Sequence, residues 1–221
     1  EGWTISLDNY YLMLQNTGSK GMITVNYPYA RYGRSANPVS TAAHYAANWV
    51  RYDNGRTKFW EIGNEVSGPW QAGYKISTRQ NLDGQPEIIT GALYGQHFKV
   101  FADSMRKAAA EIGATIYLGA VLEGIDASNS WNVTAREWNN QFFSNAGNAA
   151  DYFIVHEYFQ DAISSPSVIL NSATTHIQRI NQYLTANTTA NAVQMKPIAL
   201  TEWNIWATGQ KQMVSHITGL H

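Results

Sequence analysis

There is no cysteine among the 221 residues, which excludes a disulfide framework, a thiolate metal site and a cysteine nucleophile together. Charge is scarce too. Charged residues make up 14%, the formal net charge is -1, and no basic cluster offers the footprint that nucleic acid or an anionic membrane surface would need. No apolar stretch approaches the roughly 18–20 residues of a membrane span, and no charged start followed by an apolar run marks a leader. Neither GxGxxG nor GxxxxGK occurs, and the six histidines never fall in HExxH or another metal spacing, so no metal and no cofactor is expected. The chain opens on Glu1 rather than Met, so processing or truncation is expected at that end. Compartment stays open, with a secreted or periplasmic setting ahead.

What the sequence does have is hydrophobic and aromatic mass. At 44% hydrophobic it can fill a sizeable core, and we read residues 1–221 as one domain. Eight Trp and thirteen Tyr are many for this length. Flat aromatic faces suit the C–H faces of sugars as well as they suit a core.

The most informative stretch is KFWEIGNEVSGPWQ, Lys58 to Gln71. Phe59 to Ile62 reads as a buried strand, Gly68-Pro69 prevents its continuing as a helix, and Asn64 and Glu65 therefore sit where a strand empties into a loop. Pro197 to Trp206, PIALTEWNIW, repeats the theme, with a strand over Pro197–Thr201 delivering Glu202. Two strand-end carboxylates in aromatic surroundings point to paired acid/base chemistry.

Elsewhere the pattern alternates. Ser6 caps a helix carrying Leu7, Tyr10, Tyr11 and Leu14 and closed by Gly18; strands are expected at 21–26, 115–121 and 151–156. Ser40 or Thr41 starts a second helix, Ala92 to Ile112 is plainly helical, Thr134 and Glu137 form a capping box, and Ile177, Ile180 and Leu184 mark a further helix. Met213 to Leu220 reads as the start of another. Val66 to Thr90 is the longest irregular segment, and loops of this length are usually functional or mobile. Strand and helix alternation argues for a parallel sheet with right-handed crossovers. Between the two α/β architectures, a doubly wound sheet lacks its phosphate loop. A (β/α)8 TIM barrel instead gathers chemistry at its strand ends, where Asn26, Asn64, Glu65, Glu123, His156, Tyr158 and Glu202 all fall. Only five strands are legible, so the chain reads as an incomplete barrel lacking the first two strands and the last. Such a fragment is expected to leave two parallel edges unpaired.

Gly63 to Tyr74 (GNEVSGPWQAGY), His156-Glu157-Tyr158-Phe159 and Thr201 to Trp206 together resemble the clan A glycoside hydrolases, and most closely family 51, which includes the α-L-arabinofuranosidases. The resemblance implies a retaining glycosidase in which Glu65 is the general acid/base and Glu202 the nucleophile. It implies a polysaccharide or oligosaccharide partner of plant or algal origin, with arabinofuranoside first and endo-acting glucanase, xylanase or agarase activity as alternatives. From another class, a non-catalytic carbohydrate-binding barrel fragment fits the same residues.

An acid working near neutral pH needs a raised pKa, and Glu65 is expected to have one. Asn64 carries an amide suited to a substrate 2-OH, Tyr158 can donate to Glu202, and His156 can tune the same network. Asn26 is a weaker candidate. Trp70, Trp203 and Trp206 are sugar platforms or packing. Glu61, four residues before Glu65 on an extended strand, lies roughly 13 Å deeper and reads as a polar filler of the barrel.

Overall fold

A computed structural model describes residues 6–77, 79, 82–161 and 165–206. Its centre is five strands, β1 (Met22–Val25), β2 (Phe59–Ile62), β3 (Tyr117–Val121), β4 (Tyr152–Asp161) and β5 (Ile198–Trp206). They pair in chain order, each parallel to the next. A doubly wound sheet reverses its direction of growth at a switch point, whereas a barrel wall adds each new strand on the same side. The sheet is a half-barrel, as the incomplete (β/α)8 reading expects.

The helices follow from their caps. α1 (Leu7–Thr17) begins where the Ser6 side chain accepts from the Asn9 amide and ends at left-handed Gly18. α2 is one turn (Tyr29–Tyr32), and α3 (Pro38–Asp53) starts two residues before the expected Ser40 because proline suits the first helical position, where its missing N–H is not needed. α4 (Gly91–Glu111) is capped by Thr90 and buries Tyr94, Phe98, Phe101, Met105 and Ala108 as their spacing predicts. Asn132, rather than Thr134, caps α5 (Val133–Arg136), because its side-chain oxygen accepts from the Thr134 amide and starts the helix earlier. The Thr134 hydroxyl turns instead to that of Tyr74, and α6 (Trp138–Ala146) follows separately. α7 (Pro166–Ala190) buries Ile180 and Leu184 but leaves Ile177 exposed. No described helix is long and apolar enough to cross a membrane. The expected helix at 213–220 lies outside the described residues.

Aromatic side chains weld α4 and α6 to the sheet. Tyr94 donates its hydroxyl proton to the Ile62 carbonyl at 2.7 Å and accepts from the Val121 amide at 3.1 Å, so one residue ties the ends of β2 and β3 together. Trp138 stacks on Tyr94 with ring centroids 5.2 Å apart and donates to the Val121 carbonyl at 2.9 Å. The loop after Glu65 is not loose either. Arg31, buried at 1% exposure, donates to the Gly73, Pro86 and Glu87 carbonyls and to the Gln85 side chain, stapling both ends of that segment to α2.

Trp138→Ala removes a fully buried indole and leaves the Val121 carbonyl without its donor, at the strand ends that carry the site. We expect a loss of about 3–5 kcal/mol of unfolding free energy, read from urea denaturation; a loss under about 1 kcal/mol would show that this aromatic joint does not hold the strand ends.

Candidate active site

β2 stops at Gly63, whose φ of +85° and close approach to Val66 and Tyr27 leave no room for a Cβ. Two residues later Glu65 itself takes φ +42°, a left-handed conformation that costs a non-glycine residue roughly 1–2 kcal/mol. The turn is locked by the Gly68 amide donating to the Glu65 carbonyl at 2.7 Å. Such strain is retained where surrounding contacts impose it, and here it aims the carboxylate across the mouth of the half-barrel.

β4 and β5 bring the opposing groups. Their register runs Phe153↔Ile198, Ile154↔Ala199, Val155↔Leu200 and then shifts, so that His156 pairs with Glu202 and Glu157 with Trp203. Both strands run on past these positions, so Glu202 is the fifth of nine residues in β5 rather than its end. His156, Tyr158 and Glu202 border one cleft of about 480 Å³ with Glu65, Trp70 and Trp131.

Within the cleft the polar groups are closely coupled. Trp70 Nε1 donates to Glu65 Oε2 at 2.6 Å and Gln71 Nε2 donates to the same oxygen at 3.2 Å. His156 Nδ1 stands 3.3 Å from Glu65 Oε1 and 3.4 Å from Glu202 Oε2. Facing two carboxylate oxygens, that nitrogen carries the proton and donates, while Nε2 meets Thr201 Oγ1 at 3.1 Å. Tyr158 donates its hydroxyl proton to Glu202 Oε1 at 2.7 Å. An oxygen of Glu65, one of Glu202 and a nitrogen of His156 all lie within 4.8 Å of one another, so these three groups could also receive a cation.

The expected rise in the Glu65 pKa is not found. Burial is the largest single influence and raises it, but hydrogen bonds from Trp70, His156 and Gln71 together outweigh burial and hold the carboxyl below its ordinary value. Perturbation in the raising direction falls on its neighbours instead. Burial lifts Glu123, which accepts from Ser67 Oγ at 2.6 Å, and burial followed by the nearby Glu123 pushes Glu157 up to about 7.

Not every expected residue reaches the cleft. Asn26 lies beyond β1, accepts from the Tyr29 amide, and borders a separate hollow of about 540 Å³ with Leu7, Tyr45, Trp49 and Tyr52, which holds no carboxylate. Asn64 is exposed and does not line the cleft. Trp203 is exposed on the side of β5 opposite Glu202, because successive side chains alternate across a strand. The Trp206 side chain lies outside the described residues. Glu61 is buried in β2, where Oε2 accepts from Thr24 Oγ1 at 2.7 Å and Oε1 has no hydrogen-bond partner among the described residues. Sequence reasoning passed over Gln71, Thr201 and Trp131; an indole in the polar run Ser128 to Asn132 just after a strand was the available signal for the last.

The same five-stranded arrangement is found in solved structures. Its fold is shared with TIM-barrel glycosidases. An α-L-arabinofuranosidase from Thermotoga maritima in complex with arabinose matches 96% of this chain and 40% of its own length, with a TM-score of 0.56 and 19% identity. A family 51 α-L-arabinofuranosidase from Bifidobacterium longum matches 93% of this chain and 39% of its own, with a TM-score of 0.57 and 19% identity. A BuGH86 variant in complex with neoagarooctaose matches 91% and 33%, with a TM-score of 0.59 at 9% identity. The chain thus spans about two fifths or less of these structures. No family model and no curated protein matches it.

Trp70→Phe keeps an aromatic ring at the position, though a smaller one, and removes the shortest donor to Glu65. A carboxyl held low contributes stability that is present above its ordinary value and is lost as pH falls through the folded value, so removing the donor should move the Glu65 titration upward. Carbon-13 NMR of the side-chain carboxyl reads it; an unmoved or lower midpoint would show that His156 and Gln71 alone set the charge.

Proposed function

We propose that the chain carries the catalytic mouth of a retaining glycoside hydrolase. The observation that supports this is the pair of carboxylates from the turn after β2 and from β5, with oxygens within 4.8 Å across one cleft. That spacing belongs with the roughly 5–5.5 Å of retaining pairs rather than the roughly 6.5–9.5 Å that an inverting enzyme needs to seat a water. In this reading the Glu202 carboxylate attacks the anomeric carbon while Glu65 gives its proton to the departing oxygen. Water then attacks the glycosyl ester, Glu65 takes a proton back, and the sugar leaves with its configuration retained.

The other contacts acquire roles from that scheme. Tyr158 holds Glu202 by one oxygen and leaves the other for attack. His156, set between the carboxylates, offsets their mutual repulsion. Glu65 must be protonated when substrate is in place, although its present donors favour the anion. A bound sugar excludes water, which strengthens the burial that already raises its pKa, and contests the Trp70 contact.

For the glycan, arabinofuranosides are the first choice, supported by the motif resemblance and by the fold shared with arabinofuranosidases. Agarase activity is the leading alternative, supported by the neighbour bound to neoagarooctaose.

Glu65→Ala should lose turnover of a natural glycan by the 10²–10⁴-fold scale of general acid catalysis or more, while an aryl glycoside with a very acidic phenol keeps a substantial first step. Azide should restore turnover of the activated substrate and give a glycosyl azide of retained configuration. Equal losses on all leaving groups would remove Glu65 from proton transfer, and an inverted azide product would exchange the two roles.

A further inference from the structure

Trp131 is 75% exposed, more than any other large hydrophobic side chain described, yet its loop is tightly anchored. On one side the Ser130 amide donates to the Ala127 carbonyl at 2.8 Å and the Ser130 carbonyl accepts from Arg136 Nε at 2.8 Å. On the other, Asn132 Nδ2 donates to the Ser67 carbonyl at 2.8 Å, and its Oδ1 accepts from the Thr134 amide and the Tyr74 hydroxyl. The backbone on both flanks is fixed while the indole between stands in solvent. Exposure of an indole on an anchored loop costs apolar surface that a random loop tip would fold away or replace with a polar residue.

Its position gives the exposure a use. Trp131 borders the same cleft as Glu65 and Glu202, and its ring lies 6.3 Å from that of Trp70 at a 44° tilt. Trp70 in turn donates to Glu65 Oε2, whereas Oε1 faces His156 Nδ1, the nitrogen that also stands 3.4 Å from Glu202 Oε2. Trp70, with Trp131 beside it, therefore meets Glu65 at the oxygen opposite the one that faces His156 and, through it, Glu202. In a double displacement the nucleophile and the leaving group lie on opposite faces of the anomeric carbon, so the acid's far flank is where the departing sugar must sit.

We propose that Trp131, joined by Trp70, forms the subsite for the leaving-group sugar ring, and that the chain acts on bonds between two sugars rather than on simple glycosides. This rests on the glycosidase reading and extends it. A sugar ring seated there lies against Trp70 and competes for its N–H, so occupancy of the subsite releases Glu65 Oε2 toward the glycosidic oxygen. Charged or titratable groups facing Glu65 are His156 and Tyr158 from β4, Glu202 from β5 and Glu123 after β3, and Trp131 leaves all of them in place.

The test compares two substrates with the same glycone, one an arabino- or neoagaro-oligosaccharide and the other the glycosyl fluoride, which has no leaving-group ring to stack. For Trp131→Ala, the ratio of kcat/KM on the oligosaccharide to that on the fluoride should fall about three- to tenfold, the scale of one aromatic stacking contact, and Trp131→Phe should recover part of it. Matching urea midpoints of wild type and both variants separate this from misfolding. An unchanged ratio would overturn the subsite while leaving the glycosidase reading intact. Wild type releasing neither sugar nor fluoride from any of the probes would overturn both.

Discussion

A one-residue slip between β4 and β5 decides what this half-barrel can do. Side chains alternate across a strand, and a residue points to the same face as the partner directly opposite it. Were the register of Val155↔Leu200 continued, Glu202 would sit opposite Glu157 and share its direction, away from the cleft. The shift leaves Thr201 as the extra residue, sets Glu202 opposite His156, and turns its carboxylate into the mouth. Thr201 is not idle there, since its hydroxyl meets the far nitrogen of His156 and so helps direct the near one at both carboxylates. The same slip sends Trp203 outward beside Glu157.

The other wall is fixed by backbone strain and buried aromatics. Gly63 permits a turn that no other residue could make, Glu65 accepts a left-handed conformation, and Tyr94 and Trp138 hold the ends of β2 and β3 that deliver it. Electrostatics then runs against simple expectation. Glu65 is held low by Trp70, His156 and Gln71, and the raised carboxyls are Glu123 and Glu157. In the proposed mechanism this is a resting arrangement that the substrate must change, because a proton for the leaving group and an indole N–H at 2.6 Å contend for one oxygen.

Much of this was legible in the chain. Apolar runs that end in Gly-Asn-Glu and Thr-Glu-Trp gave two carboxylates at one end of a parallel sheet, and helical spacing from Tyr94 to Ala108 placed the packing layer. What could not be read has identifiable causes. Hydrogen bonding with a neighbouring strand carries β4 and β5 beyond the points where their apolar pattern stops, and a bulge at Thr201 has no residue signature. Trp203 therefore comes to lie beside Glu157, on the face away from Glu202. Asn26 satisfies a local amide instead of reaching across, and Asn132 wins the helix start from Thr134 because its side-chain oxygen accepts from the Thr134 amide and caps the helix two residues earlier. The pKa of Glu65 depends on three donors, two of which, Trp70 and Gln71, follow it closely in sequence, while their aim is set only by the turn.

The central claim is that Glu202 forms a covalent bond to the sugar. Incubating the protein with a 2-fluoro glycoside bearing an activated leaving group should trap that ester, since fluorine beside the anomeric carbon slows its hydrolysis more than a good leaving group slows its formation. Proteolysis and mass spectrometry should then find the added sugar on the peptide containing Glu202. An adduct on Glu65 or another side chain, or turnover of the reagent with no adduct at all, would contradict the account.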